Sequence, residues 1–182
     1  ERFRAGAQNQ AGPLSALSVN AGFAKWDPVN TSNGFSTAAS DPAAHGAAVL
    51  DDLLEDRGLA IRRPAQAGIV PGDANMELGR VDSPPVRDIV AQMLVGSDNT
   101  TAELLVKALA AAHELPGTSV GGVIALVGAL GGNGHSSDGL VVNDGSGLDP
   151  GNLVTCRFMT GLLEDFEHGP EILEALPVAG QS

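Results

Sequence analysis

The chain has 182 residues, 43% of them hydrophobic, and a formal net charge of −12. This length suffices to bury the core of one domain or of two small domains. The negative charge argues against a nucleic-acid partner, because binding phosphates requires clustered basic side chains and the only lysines, Lys25 and Lys107, lie far apart in the sequence. The sequence has no apolar run of about 18 residues, the length that indicates a membrane span. At Glu1 there is neither a methionine nor a signal-peptide core, so we expect a processed or excised piece.

Residues 1–80 are predicted to form β structure and loop with one helix. Asp41 followed by Pro42 is typical of a helix start, where the aspartate caps the first turn and the proline occupies the first helical position. This helix is predicted to run to Arg57 and to end at Gly58, which tolerates the left-handed conformation. Three short segments are predicted as strands: 14–20, 59–61 and 76–81.

Two amphipathic helices are predicted in the middle of the chain. The first starts after Ser83-Pro84-Pro85, and its apolar residues at helical spacing are Val86, Ile89, Val90, Met93 and Leu94. Gly96 is predicted to be the left-handed residue that ends this helix. Thr100 and Glu103 form a capping-box pattern, which predicts that the second helix starts at this point. The apolar stripe predicted for the second helix consists of Leu104, Leu105, Ala108, Leu109 and Ala112.

The tripeptide Ser97-Asp98-Asn99 separates these two helices and is the candidate functional site. We expect it to lie in neither helix, as a short corner that is anchored on both sides and can hold a hydroxyl and an amide toward a cleft. The same residue types are also typical of ordinary helix capping, in which their side chains bind backbone N–H groups. The tripeptide alone therefore leaves a structural and a catalytic interpretation open.

The last third of the chain is predicted to alternate helices with tight turns. Residues 120–130 are apolar around most of a helix circumference, which predicts a helix inside a packed domain, ended by Gly131-Gly132. Residues 140–142 are predicted as a brief buried strand, followed by a glycine turn at 143–147. Thr155 is predicted to cap a helix whose inner side carries Phe158, Met159, Leu162, Leu163 and Phe166. A last short helix is predicted around Ile172, Leu173 and Leu176.

Other reactive side chains favour structural interpretations. Cys156 is the single cysteine, so an internal disulfide is excluded and we expect a buried thiol. Four histidines are isolated in the sequence and predict surface or capping positions rather than metal ligands: His45, His113, His135 and His168. Asp51-Asp52 and Glu164-Asp165 are predicted to be solvated helix faces rather than paired catalytic carboxylates. No metal and no cofactor is expected.

Six segments, in this order along the chain, resemble the D-alanyl-D-alanine carboxypeptidases of the penicillin-binding-protein superfamily, of the class C, peptidase S13 type. They are Leu14 to Asn20, the helix from Asp41-Pro42 to Leu59, Ser83-Pro84-Pro85-Val86, Ser97 to Glu103, Asp144 to Leu148, and Leu176 to Gly180. The resemblance implies an α+β fold of the β-lactamase and penicillin-binding-protein type. Residues 1–80 would be an inserted β and loop region with one helix, and residues 81–182 the helical part of the transpeptidase-like domain.

The resemblance also implies a role for each matching polar residue. Ser97 would relay a proton between the active-site lysine and the leaving amine. Asn99 would donate its side-chain amide to the peptide carbonyl of the substrate and fix it for acyl transfer. Asp98 and Ser146 are assigned to the substrate-binding region, where Asp98 would brace the turn rather than react. For Asp144 and Ser146 a structural glycine turn beside the cleft is favoured over a direct catalytic role.

The chain departs from the family pattern where the nucleophile belongs. The superfamily nucleophile lies in Ser-x-x-Lys, but Gly22 precedes Lys25 and Leu104 precedes Lys107 at that spacing. No Lys-Thr-Gly follows either, and Asp149 stands where the family commonly has a small hydroxyl residue. We therefore expect the chain to be the middle third of the enzyme, inactive alone, with the remainder supplied elsewhere, as a separate chain or otherwise.

The function expected from the resemblance is part of a serine D-alanyl-D-alanine carboxypeptidase or endopeptidase. It would act on peptidoglycan stem peptides through an acyl-enzyme, be inhibited by β-lactams, and work outside the cytoplasm, in the periplasm or the cell envelope. Two alternatives remain open. One is a non-catalytic cell-envelope module that binds peptidoglycan or a partner, and the other is a relative of the serine β-lactamases, which release the acyl group that a carboxypeptidase retains.

Overall fold

Helices dominate the part of the chain that the structure describes. The computed structural model describes residues 11–25, 37–74, 76–165 and 169–178. In these ranges the α-helices are α1 (Pro42–Glu55), α2 (Val86–Gly96), α3 (Asn99–Ala112), α4 (Ser119–Gly132), α5 (Cys156–Leu163) and α6 (Gly169–Ala175). Four short strands form two antiparallel pairs: β1 (Phe23–Lys25) with β2 (Thr37–Ala38), and β3 (Leu140–Val141) with β4 (Leu153–Val154). The predicted α+β class is confirmed.

The chain divides into two compact units, Glu1–Ser83 and Pro84–Ser182. In the first unit, α1 packs against β1, where Phe23 is buried together with Ala11 and Ala39. Strand β1 is irregular, since Phe23 pairs with Ala38 and Lys25 with Thr37. No helix in the described part of the chain is long and apolar enough to cross a membrane.

The predicted start of α1 and its stop signal at Gly58 are confirmed, although the helix ends at Glu55 rather than at the predicted Arg57. Oδ1 of Asp41 accepts a hydrogen bond from the backbone N–H of Ala44 at 3.0 Å, with Pro42 in the first turn. At the other end, Gly58 has a φ of +85° and donates to the carbonyl of Glu55, while the next residue, Leu59, donates to the carbonyl of Leu54. These two bonds form a Schellman motif with glycine at its left-handed position.

The three strands predicted before residue 82 are wrong. Residues 14–20 form irregular backbone that leads into a 3₁₀ turn at Asn20–Gly22, and residues 59–61 and 76–81 are irregular too. Leu78 and Val81 are 88% and 97% exposed. An alternating or apolar pattern marks a segment that can pair, but a strand forms only where a second segment supplies the partner N–H and C=O groups. These segments have no such partner among the described residues.

The second unit is built on the pair α3 and α4. Ala110 of α3 and Ala125 of α4 are buried, and α4 approaches α3 through glycines. A Cβ atom added to Gly122 would lie 2.3 Å from both the carbonyl oxygen and a side-chain methyl of Val106. Only glycine therefore permits this close helix contact. The prediction that α4 lies inside a packed domain is wrong for its other side, where Val120 and Ile124 are 68% and 58% exposed.

The remaining predictions for the second unit are mixed. Strand β3 is confirmed, but Val141 is 47% exposed, so its predicted burial is wrong. The predicted cap of α5 is confirmed, since the Thr155 hydroxyl accepts from the N–H of Phe158 at 3.3 Å. Cys156 follows this cap in the first turn and is exposed, which corrects the predicted buried thiol. Phe166 lies outside the described residues.

Helix α4 also ends later than expected. Gly131 and Gly132 lie inside the helix, and Gly134 has the left-handed φ of +79°. Gly134 donates to the carbonyl of Gly131, and His135 donates to that of Leu130, so this end is a second Schellman motif with glycine at its turning residue. Helix α6 covers the segment predicted around Ile172 and packs against α2 and α5.

Candidate functional site

The candidate site begins where α2 ends, at a serine in the left-handed conformation. Ser97 has φ 49° and ψ 47°. Its N–H donates to the carbonyl of Leu94 at 3.4 Å, and the N–H of Asp98 donates to that of Met93 at 3.0 Å, which again is a Schellman motif. The predicted left-handed residue, Gly96, is wrong, since Gly96 is the last residue of the helix. The chain turns one residue later, at Ser97, where the Cβ atom makes the left-handed conformation sterically unfavourable.

Helix α3 begins immediately after this turn, and Asp98 caps it. Oδ1 of Asp98 accepts from the N–H of Thr101 at 3.1 Å, and Oδ2 accepts from the Thr101 hydroxyl at 2.6 Å. The predicted capping box of Thr100 and Glu103 is therefore wrong. An aspartate two residues earlier satisfies the free N–H groups of the first turn, and Thr100 lies inside the helix, where it is buried.

The expectation that the tripeptide lies in neither helix holds for Ser97 and Asp98 but not for Asn99. Asn99 is the first residue of α3. Ser97 is exposed, and Asp98 and Asn99 are half-buried. The corner is held by backbone hydrogen bonds on one side and by the Asp98 carboxylate on the other. It can therefore present the side chains of Ser97 and Asn99 from fixed backbone positions.

Glu103, one helical turn after Asn99, has a role that sequence reasoning missed. Its side chain is 1% exposed, and Oε1 accepts hydrogen bonds from the N–H groups of Gly145 and Ser146, both at 2.9 Å. We call this arrangement the Glu103 clamp.

The predicted apolar stripe of α3 is wrong in part. Leu104, Ala108 and Ala112 are exposed, whereas the buried residues of the helix are Thr100, Glu103 and Ala110.

The segment held by the clamp is the predicted glycine turn, and hydrogen bonds to the Asp144 carboxylate fix its conformation. Oδ1 of Asp144 accepts from the N–H of Gly147 and from the Asn152 amide, both at 2.8 Å, and Oδ2 accepts from the N–H of Asp149 at 2.6 Å. Gly147 takes a left-handed φ of +77°. The Asp144 carboxylate is thus occupied in shaping the turn, as the structural interpretation of this segment predicted.

Ser146 differs from its neighbours in this turn. The residue as a whole is half-buried, and its Oγ atom is buried without a hydrogen-bond partner in the described part of the chain. A buried hydroxyl that lacks a partner costs about 1 to 3 kcal/mol, and Ser18 Oγ and His45 Nε2 are in the same state. The structure therefore brings a hydroxyl with spare hydrogen-bonding capacity to the first turns of α3.

The histidines and acidic pairs follow the predictions only in part. Nε2 of His135 lies 2.7 Å from Oδ2 of Asp165, and both side chains are largely buried, so neither is an isolated surface group. His113 caps the C-terminus of α3 as predicted, His45 is half-buried, and His168 lies outside the described residues. In the ranges that the structure describes, no group of three or more His, Cys, Asp or Glu side chains can hold a metal ion.

Comparisons with known proteins agree on one family. The family model for the D-Ala-D-Ala carboxypeptidase 3 (S13) family matches residues 28–182. The D-alanyl-D-alanine carboxypeptidase of Actinomadura sp. (strain R39) is 34% identical over 147 residues, which are 78% of this chain and 27% of that protein. The D-alanyl-D-alanine carboxypeptidase DacB of Haemophilus influenzae is 26% identical over 151 residues, 81% of this chain and 31% of that protein. The chain thus spans less than a third of the length of either relative.

Proposed function

The chain belongs to the D-Ala-D-Ala carboxypeptidase 3 (S13) family, and on this basis we propose that it is the part of a serine carboxypeptidase that carries the Ser97-Asp98-Asn99 corner. The substrates are peptidoglycan stem peptides that end in D-Ala-D-Ala, cleaved outside the cytoplasm through an acyl-enzyme. The fold is of the β-lactamase and penicillin-binding-protein type, with residues 1–80 as the inserted region and 81–182 as the helical part. The observation that carries the proposal is the corner itself, anchored on both sides, with a hydroxyl and an amide on either side of the capping aspartate.

Ser97 acts as the proton relay in this proposal. A serine nucleophile, contributed by another part of the enzyme, attacks the peptide carbonyl, and the departing D-alanine amine must receive a proton. The active-site lysine takes the proton of the attacking serine and gives a proton to the Ser97 hydroxyl, which passes its own proton to that amine. The turn at Ser97 supports this role, because its backbone hydrogen bonds fix the position from which the hydroxyl is presented.

Asn99 orients the substrate. As the first residue of α3 it is held in a rigid helix, and its side-chain amide donates to the carbonyl of the substrate so that the nucleophile meets the correct face. Asp98 contributes by fixing the backbone between these two residues. Ser146 belongs to the adjoining wall of the substrate-binding region, and its buried Oγ atom has no hydrogen-bond partner among the described residues.

The remainder of the enzyme supplies the nucleophile, its activating lysine and the oxyanion-binding groups. No Ser-x-x-Lys and no Lys-Thr-Gly occurs in these 182 residues. The enzyme containing this chain is inhibited by β-lactams, which acylate the same serine. This chain by itself takes no acyl group.

Labelled penicillin tests the proposal. The full gene product should be acylated, and the 182-residue chain alone should not. In the gene product, Ser97→Ala and Asn99→Ala should each lower the second-order acylation rate by about 100-fold. Ser83→Ala, an exposed serine outside the corner, is the matched control and should acylate at the wild-type rate. Labelling of the isolated chain, or unchanged rates in both variants, would refute the proposal.

A further inference from the structure

Glu103 is the largest fully buried polar side chain among the described residues. Burying a carboxylate is costly unless hydrogen bonds stabilise its charge, and the N–H groups of Gly145 and Ser146 supply two such bonds to one oxygen. Both donors belong to the glycine turn, which follows in the sequence 42 and 43 positions later. The carboxylate therefore ties α3 to a segment distant in the chain, rather than capping its own helix.

The turn needs such a tie because its own backbone is permissive. Ser146 lies between Gly145 and Gly147, and glycine restricts the backbone least of all residues. Gly145 is pressed against α3, since an added Cβ atom would lie 2.6 Å from the carbonyl oxygen of Ala102 and 2.7 Å from a methyl of Val106. With this close contact and the two hydrogen bonds, the turn has one defined position on the helix.

That position lies beside the candidate catalytic corner. Asn99 and Glu103 are separated by one helical turn, which places their Cβ atoms on the same face of α3, about 6 Å apart. Glu103 accepts a hydrogen bond from the backbone N–H of Ser146, and the hydroxyl of this same serine has no hydrogen-bond partner among the described residues. The Glu103 clamp thus links Asn99, which is proposed to orient the substrate carbonyl, with Ser146, which is proposed to line the adjoining wall.

We propose that Glu103 is a positioning residue of the carboxypeptidase, which holds the Ser146 hydroxyl at a fixed distance from the Asn99 amide. The inference rests on the proposed function of the corner. Glu103 itself does not touch the substrate. It acts through two backbone N–H groups, and an error of about 1 Å in a positioned group can reduce the rate by about 100-fold.

The clamp can be measured without any activity. Amide hydrogen exchange in the 182-residue chain, followed by NMR, should show protected N–H groups at Gly145 and Ser146. In Glu103→Ala this protection should fall by at least about tenfold more than that of amides in the middle of α4. Glu103→Gln retains a carbonyl oxygen and should keep most of it. Equal protection of the two amides in wild type and Glu103→Ala would overturn the clamp.

The catalytic consequence is measured by penicillin acylation of the full gene product. Glu103→Ala should lower the acylation rate by about 10-fold to 100-fold, and Glu103→Gln should restore it to within about threefold of wild type. Ala110→Gly is the matched control, because it weakens the buried α3–α4 contact without touching the turn. Compared at an equal folded fraction, Ala110→Gly should acylate normally.

Two further results decide between explanations. If Glu103→Ala does not fold, Glu103→Asp provides the test, because it keeps the charge but shortens the side chain by one methylene group. A wild-type acylation rate in Glu103→Asp would overturn the inference. The same holds if Glu103→Ala acylates as fast as Ala110→Gly. A wild-type gene product that takes no label would instead overturn the proposed function, and the catalytic role of Glu103 with it, while the exchange measurement still decides whether the clamp exists.

Discussion

Ser97 and Gly96 show how a single residue sets the geometry of the corner. Glycine is the usual residue in a left-handed helix end, and it occupies that position at Gly58 and Gly134. At the end of α2, Gly96 is the last helical residue, and the left-handed position is occupied by the next residue, Ser97. The sequence alone suggested the opposite, because a serine seldom accepts this conformation. As a result, the left-handed residue of this turn carries a hydroxyl group.

We expect Ser97→Gly to stabilise the protein while removing the hydroxyl of the proposed proton relay. Relief of the left-handed strain should raise the free energy of unfolding by about 0.5 to 1 kcal/mol, measured by urea denaturation of the 182-residue chain. Gly96→Ala is the control, since Gly96 is helical and an added Cβ meets no atom within 4 Å. It should also stabilise, by up to about 1 kcal/mol. A loss of stability in Gly96→Ala would mean that Gly96 is the left-handed residue.

Asp98 is expected to contribute more to stability than an ordinary helix cap. Asp98→Ala should lower the free energy of unfolding by about 1 to 2 kcal/mol, because the carboxylate binds both the N–H and the hydroxyl of Thr101. Asp41→Ala at the start of α1 removes a cap with one such bond and should cost less. Denaturation curves recorded with a probe in each unit would measure the two costs separately. A larger cost for Asp41→Ala would contradict this ranking.

At the scale of elements, the glycines of α4 separate packing from helix propensity. Gly122 lies against Val106, so Gly122→Ala should force the two helices apart and cost about 2 to 3 kcal/mol of unfolding free energy. Gly128 lies in the same helix with no atom within 4 Å of an added Cβ, so Gly128→Ala should stabilise by about 0.5 to 1 kcal/mol. Thermal unfolding of the two variants measures both effects. Stabilisation by Gly122→Ala would show that α4 does not pack on α3 through Gly122.

The pair His135 and Asp165 connects the end of α4 with the segment that follows α5. Its 2.7 Å contact between largely buried side chains is expected to stabilise the second unit by about 1 to 2 kcal/mol. His135→Ala should therefore cost more than His113→Ala, which alters an exposed residue at the end of α3. Combining His135→Ala with Asp165→Ala in a double-mutant cycle isolates the pairwise energy. A coupling energy near zero would contradict the assignment.

The sequence predicted the helices well and the strands poorly, for a physical reason. A helix forms its hydrogen bonds within one segment, so periodicity and caps at Asp41 and Thr155 are enough to locate α1 and α5. A strand depends on a partner elsewhere in the chain, and three of the predicted strands have none among the described residues. The same limit applies to Glu103, since the local pattern indicated a capping box and its true partners lie 42 and 43 positions away.

For the whole molecule, the exposed segment at the end of the first unit is the expected site of proteolysis. The described residues between Leu59 and Pro85 form neither helix nor strand. Trypsin should therefore cut after Arg62 and Arg80 well before it cuts after Lys107, which lies in α3. Mass spectrometry of a short digest would identify the first fragments. Cleavage after Lys107 at a comparable rate would show that α3 opens as readily as the exposed segment.

The Glu103 clamp grips main-chain N–H groups and not the side chain between the two glycines. The two hydrogen bonds that anchor the turn therefore do not depend on the side chain at position 146, although the buried Oγ atom leaves little room for a larger one. Replacing Ser146 by alanine, which needs no additional space, should leave the turn attached to its helix while removing the buried hydroxyl. The hydroxyl at this position and the attachment of the turn to α3 can therefore be changed independently of each other.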